Sequence, residues 1–132
     1  MRIEDLTPYV YSKRKGIGDA VAVGWLGEDD LTHKTGKTPV EVIKILKQHK
    51  PQNLCRGVHM CEYCDECGIE VGNGNGELWV MNGNKLFIAP YLIIHYMEEH
   101  NYKPPKEFID SVLNGFMPHS LGYEMKLQSI LK

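Results

Sequence analysis

The chain has 132 residues, of which 42% are hydrophobic and 24% are charged, and its formal net charge at pH 7 is −2. This composition is typical of one globular domain that buries a core without cross-links, and it lacks the marks of disorder or of a coiled coil. Because the chain is slightly acidic, it has no general attraction to phosphate backbones, which disfavours nucleic acid as a partner. No apolar run has the length of a signal peptide or a membrane span, so we expect a cytoplasmic protein without membrane contact.

The first half of the chain predicts a strand followed by a helix. Ala20 to Leu26 is a continuous apolar run bounded by glycine and acidic residues, which indicates a buried strand. The residues from Thr38 to Glu41 have the pattern of a capping box with proline at the first helical position. We therefore expect a helix from Pro39 to about His49.

The second half predicts a hairpin and then helices. Strands at Glu77–Met81 and Lys85–Ala89 flank Asn82-Gly83-Asn84, and an Asn-Gly pair accepts the positive φ angles of a tight turn. Pro90 is expected to open a helix that stops near Asn101. Two further helices are predicted, over Pro105–Leu113 and Ser120–Lys132.

All the cysteines fall within thirteen positions, and a histidine, His59, lies among them. The four cysteines are Cys55, Cys61, Cys64 and Cys67. In an intracellular protein, thiols so close together are metal ligands or redox groups more often than disulfides. A Cys-x-x-Cys turn such as Cys61 to Cys64 directs two thiolates to one point, and two further ligands close a tetrahedral Zn²⁺ site. We predict a zinc site that contains this pair.

The order of Cys-x-x-Cys turn, hairpin and histidine-bearing helix is that of a treble-clef-like zinc site. His59 precedes the first ligand cysteine by two positions, and His95 lies in the middle of the predicted helix. We therefore predict the ligand set His59, Cys61, Cys64 and His95. Each histidine alone could equally be a hydrogen-bonded core imidazole.

Alternative ligand sets remain open. His95 and His100 are five positions apart, which separates them by about 140° around a regular helix. Both can face one ion only if the helix loosens near Asn101. His100 could otherwise replace His59, or Cys55 and Cys67 could complete an all-thiolate site.

Known catalytic signatures fit poorly. The segment from His95 to His100 has one residue too many for the His-x-x-Glu-His pattern of metalloproteases. His59 lacks the glutamate that follows the histidine of zinc deaminases by two positions. A redox role for the Cys61–Cys64 pair would require a following helix, which the turn-rich sequence does not predict.

Five segments of the chain together resemble a family of small uncharacterised bacterial proteins. They are Ala22–Leu26, Gly57–Cys64, Asn75–Glu77, Ala89–Tyr96 and His100–Phe108. The resemblance covers about residues 20 to 112 and implies no activity. It does imply that one site is formed by His59, Cys61, Cys64, His95 and His100, whereas Cys55 and Cys67 lie outside its pattern.

These observations predict an α+β fold in which a small, mostly antiparallel sheet is packed by two or three helices. We expect one zinc-stabilised domain over residues 1–132, with a core at about 20–113 and a C-terminal extension at 114–132. The favoured function is a non-enzymatic binding module with structural zinc and another protein as partner. The alternative is a zinc-dependent hydrolase of a small substrate, with Glu98 or Glu99 as base. Nucleic-acid binding through the basic residues Lys13–Lys15 is a third hypothesis.

Overall fold

The structure is a computed structural model that describes residues 4–8, 20–26, 35–49, 76–83 and 85–131. The cysteine cluster, His59 and the basic residues Lys13–Lys15 lie outside these ranges. Predictions that concern them are therefore neither confirmed nor contradicted by the fold. In the part of the chain that is described, no helix is both long enough and apolar enough to cross a membrane.

Three short strands form one sheet in the order β1-β3-β2. They are β1 (Val21–Ala22), β2 (Glu77–Asn82) and β3 (Lys85–Pro90). β2 and β3 pair antiparallel, as predicted, across a turn in which Gly83 has a φ of 61°. Asn82, which the sequence pattern predicts in the turn, is instead the last residue of β2 and pairs with Lys85. β1 pairs parallel with β3, so the sheet is mixed and the mostly antiparallel prediction is wrong for this strand.

The apolar run from Ala20 to Leu26 is a strand only at its second and third residues. Gly24 has a φ of 82°, which ends the extended conformation, and its N–H donates to Asp5 Oδ1 at 2.9 Å. The run is nevertheless almost completely buried, because its side chains contribute to the apolar core on both sides of the sheet. Trp25 belongs to the core, where its Nε1 donates to the Ile88 carbonyl oxygen at 3.0 Å.

Four helices lie in the described part of the chain. They are α1 (Val40–Lys47), α2 (Ile93–Glu99), α3 (Lys106–Asn114) and α4 (Leu121–Leu131). The predicted bounds of α1, α3 and α4 are confirmed to within two residues. Pro90 does not open α2: it is the last residue of β3, paired with Glu77, and the helix begins three residues later. The capping box is also wrong, because Thr38 donates its hydroxyl to the Tyr102 carbonyl oxygen at 2.8 Å.

The sheet is apolar on both faces, because side chains alternate along a strand and each side is covered by helices. Leu78, Val80 and Phe87 belong to a cluster with buried residues of α1, α2 and α3. The opposite face contributes Trp79 and Ile88, among others, to a second cluster that includes residues of α4. The C-terminal segment therefore docks on the sheet through α4.

Candidate metal centre

The imidazole rings of His95 and His100 meet at the C-terminal end of α2. Their Nε2 atoms are 3.2 Å apart, and the ring planes are inclined at 73°. His95 is the third residue of the helix, whereas His100 follows it as the C-cap with φ −124° and ψ 10°, outside the helical range. The regular helix therefore ends before His100, which is the condition under which both histidines can face one ion. The two side chains point to the same place.

Hydrogen bonds of Tyr102 and the conformation of Asn101 fix the backbone after His100, and so position this histidine beside the helix. Asn101 takes a left-handed conformation with φ 56°, which asparagine tolerates better than most residues. The N–H of Tyr102 then donates a hydrogen bond to the Tyr96 carbonyl oxygen at 3.0 Å. The buried Tyr102 also donates its hydroxyl to Asp5 Oδ2 at 2.8 Å. Tertiary contacts of Tyr102 therefore position a ring that sequence spacing alone would place elsewhere.

The separation of the two histidine nitrogens fits a shared metal ion. Two nitrogens on one tetrahedral zinc, at Zn–N distances of about 2.0–2.1 Å, lie about 3.3 Å apart. The observed 3.2 Å also fits a hydrogen bond between two neutral imidazoles. Within the described ranges, no group of three or more His, Cys, Asp or Glu side chains is arranged to hold a metal. A zinc ion at this pair would need its other ligands from elsewhere in the chain.

The protonation state of His95 suits a metal ligand, because its lowered pKa favours the neutral imidazole. Burial, together with the nearby His100 imidazole, lowers the pKa of His95, and this outweighs the opposite influence of Glu99 and Glu98. A neutral imidazole is the form that coordinates metals.

The described residues on either side of the cysteine-bearing residues 50–75 contact α2 or the turn before it. At one end, Lys47 in the last turn of α1 forms an ion pair with Glu98, with Nζ and Oε2 2.8 Å apart. At the other end, the Tyr91 N–H donates to the Gly76 carbonyl oxygen at 2.8 Å. The chain therefore leaves and re-enters the described fold beside the helix that bears His95.

The number of residues between Cys64 and Gly76 bears on whether the cysteines could be ligands at the histidine pair. Gly76 follows Cys64 by twelve positions, and twelve extended residues span up to about 40 Å. Along α2, the distance from Tyr91 to His100 is only about 14 Å. The length of this chain segment is therefore compatible with the prediction that Cys61 and Cys64 are ligands.

A cavity of about 430 Å³ adjoins His95, a volume typical of sites for small ligands. The other described side chains that line it belong to α1, to α2 or to the turn before α2: Lys47, Tyr91, Leu92, Ile94, Glu98 and Glu99. Leu92 is fully buried and Ile94 is 6% exposed, so the accessible apolar surface of the cavity comes mainly from the half-buried Tyr91. The ion pair of Lys47 and Glu98 gives it a charged rim. Glu99 is exposed and forms no ion pair or hydrogen bond with another described residue.

The sequence analysis missed a second histidine cluster, formed by His49, His119 and Tyr123. Their rings lie 5.3 to 5.8 Å apart between centroids in edge-on contacts. His49 is 5% exposed, and its Nδ1 has no hydrogen-bond partner among the described residues. Burial and the nearby His119 lower the pKa of His49 to about 4. No local pattern could reveal this cluster, because His49 and His119 are brought together only by the docking of α4.

Of the predicted ligands, the structure describes only His95, and it adds His100 beside it. Cys61, Cys64 and His59 lie outside the described residues, as do the alternatives Cys55 and Cys67. The treble-clef-like geometry and the ligand set consequently stay predictions.

Comparison with known proteins gave one match. A family model described as a domain of unknown function (DUF7919) matches residues 1–113. No curated protein and no solved structure matches the chain. The matched region contains the histidine pair, the cavity and the four cysteines, and it stops before α4.

Proposed function

The chain belongs to the DUF7919 family of domains of unknown function, and on that premise we propose a function from its own side chains. The protein is a zinc-stabilised, non-enzymatic binding domain whose partner is another protein. His95 and His100 supply two zinc ligands, and Cys61 and Cys64 supply the other two. This is one of the sets that the sequence pattern leaves open, with His100 in place of His59. Bacterial origin and organisation as one domain over residues 1–132 are further parts of the proposal.

The observation that carries the proposal is the 3.2 Å separation of the histidine Nε2 atoms. Two neutral imidazoles and two thiolates would balance the charge of Zn²⁺, so the closed centre would be neutral and inexpensive to bury. Four protein ligands leave no open position, which is the mark of a structural site. Such a centre would tie the cysteine segment to α2 and contribute directly to folding.

Metal content of the purified full-length protein tests this proposal. We expect one zinc per chain, with loss of zinc in His95→Ala, His100→Ala, Cys61→Ser and Cys64→Ser. His59→Ala, Cys55→Ser and Cys67→Ser are the matched controls and should retain the metal. Loss in His59→Ala with retention in His100→Ala would restore the ligand set predicted from the sequence. A folded wild-type protein without metal would refute the zinc centre. The 3.2 Å separation would then be explained by a hydrogen bond between the two imidazoles.

A zinc-dependent hydrolase of a small substrate is the second candidate, and the cavity beside His95 is the observation that favours it. It would need three protein ligands and a water molecule on the metal. Glu99 suits the role of base better than Glu98, because Lys47 holds the Glu98 carboxylate at 2.8 Å. Zinc retention in one of the four ligand variants, together with zinc-dependent hydrolysis of an activated ester, would favour this candidate.

A further inference from the structure

We propose that the cavity beside His95 binds the side chain of a lysine presented by the partner protein. This inference rests on the proposed role as a protein-binding domain and specifies the chemistry of the partner. Its basis is the combination of an apolar wall with an excess carboxylate in one cavity.

The apolar wall suits the stem of a lysine side chain. The half-buried Tyr91 contributes an aromatic ring to the lining, and Ile94, which is 6% exposed, contributes a small aliphatic surface. Lysine carries four methylene groups that pack along apolar surface while the ammonium group stays at a polar rim. An aromatic ring in the lining adds a favourable surface for a cation.

The charges that line the cavity select a cation. Among the described residues of the lining, Glu98 and Glu99 contribute two negative charges and Lys47 contributes one positive charge, which leaves an excess of one carboxylate. Lys47 and Glu98 form an ion pair with each other, whereas Glu99 has no ion-pair partner in the described part of the chain. A carboxylate ligand would be repelled by Glu99, and an ammonium group would neutralise it.

The placement of the two carboxylates favours ammonium over guanidinium. Adjacent residues on a helix point about 100° apart, so Glu98 and Glu99 approach the cavity from different directions. A compact ammonium head has three donors that rotate to meet such acceptors, whereas a guanidinium group requires a coplanar, bidentate carboxylate.

Methyl NMR on the zinc-loaded, full-length protein tests the proposal with two probes of equal stem length. These are N-acetyl-lysine N-methylamide and its uncharged analogue N-acetyl-norleucine N-methylamide. We expect the lysine probe to shift the Leu92 and Ile94 methyl signals saturably and the norleucine probe to require at least about threefold higher concentration. Equal affinity for the two probes would overturn the proposal.

Substitutions of the rim charges should change the affinity in opposite directions. Glu99→Gln removes the carboxylate that has no ion-pair partner among the described residues, and it should weaken lysine binding about threefold to fivefold. Lys47→Met frees Glu98 and leaves an excess of two carboxylates among the described residues of the lining, so binding should strengthen by a similar factor. Glu41→Gln, at an exposed glutamate of α1 outside the cavity, is the matched control and should change nothing. An unchanged affinity in both rim variants would refute the charge argument.

Two further measurements distinguish the ways in which the cavity proposal or the zinc proposal could fail. Binding of n-pentylamine with exclusion of the capped lysine would show that the cavity mouth rejects a peptide backbone and would overturn the assignment to a partner protein. Zinc content is measured on the same samples. One zinc per chain without lysine binding would overturn the cavity proposal alone, whereas a zinc-free chain would overturn the metal centre.

Discussion

The hydroxyl of Tyr123 donates to the Trp79 carbonyl oxygen at 2.5 Å, and this bond joins α4 to the middle of β2. Tyr123 is fully buried, and burial together with the nearby Glu124 raises the pKa of its hydroxyl, which therefore stays a donor. The bond and the ring packing hold the C-terminal helix against one face of the sheet.

Tyr123→Phe should lower the free energy of unfolding by about 1–2 kcal/mol, because it removes the donor and keeps the ring. Tyr123→Ala should cost about 3–5 kcal/mol, as expected for a buried aromatic side chain. Leu121→Ala on the same helix is the control, since Leu121 is 77% exposed and should change stability by less than about 0.5 kcal/mol. Urea denaturation measures all three, and equal effects at both positions would contradict the docking of α4.

Gly24→Ala should destabilise the protein by about 2 kcal/mol or more. Gly24 has a φ of 82°, and an added Cβ would lie 2.7 Å from Cδ1 of the buried Ile93. Gly83 also has a positive φ, of 61°, but a Cβ there would meet no atom within 4 Å. Gly83→Ala should therefore cost only the conformational strain, about 1 kcal/mol. Comparison of the two variants by thermal unfolding isolates the effect of the contact with α2. Equal losses of stability would show that this contact is unimportant.

Acid should weaken the fold through His49. Its pKa falls from 6.5 in the unfolded chain to about 4 in the folded protein. The unfolded state therefore binds more protons between these values, so the free energy of unfolding decreases as the pH falls from 6.5 to about 4. The loss attributable to His49 is on the order of 3 kcal/mol.

Comparison of the wild type with His49→Gln at several pH values measures this loss. Glutamine stays neutral throughout, so the wild type should lose stability relative to the variant across this pH window. A contribution from the proposed zinc centre would be common to both proteins and would cancel. His119, which contacts His49, is present in both, as is Glu124, which lies 3.3 Å from the His119 ring. A difference in stability that is constant with pH would show that His49 does not titrate in this way.

The conformation of Asn101 should control zinc affinity. Asn101→Val places a β-branched residue at a φ of 56°, which costs about 1–2 kcal/mol and displaces His100. Since about 1.4 kcal/mol corresponds to a factor of ten, we expect zinc to bind about tenfold more weakly, as measured by competition with a chelator. Asn101→Gly accepts the same φ and should bind zinc as the wild type does. Equal affinity in both variants would show that the backbone turn does not position the ligand.

Local signals predicted the elements that depend on local chemistry. The Asn-Gly pair at Asn82 and Gly83 predicted the hairpin, and proline with apolar spacing predicted α1 and α3. The first strand is shorter than its apolar run suggests, because Gly24 turns away against Ile93. Its burial was predictable, whereas its conformation depends on a contact with a helix about seventy residues later.

The candidate site was predicted only in part, for the same reason. His95 was recognised by its position in the helix, but its pairing with His100 depends on the turn at Asn101. That turn is stabilised by Tyr102, which contacts Tyr96, Thr38 and Asp5. No periodicity in the helix contains this information, since the partners come from distant parts of the chain.

The described residues on either side of residues 50–75 contact α2 or the turn before it, which bears on changes in chain length. Lys47 pairs with Glu98, and the Gly76 carbonyl oxygen accepts a hydrogen bond from Tyr91 N–H. Doubling the length of a closed loop costs only about 0.6 kcal/mol in entropy. Insertions between His49 and Cys55 should therefore be tolerated. The hairpin of β2 and β3 has no such freedom, because pairing of Asn82 with Lys85 leaves room for two turn residues only.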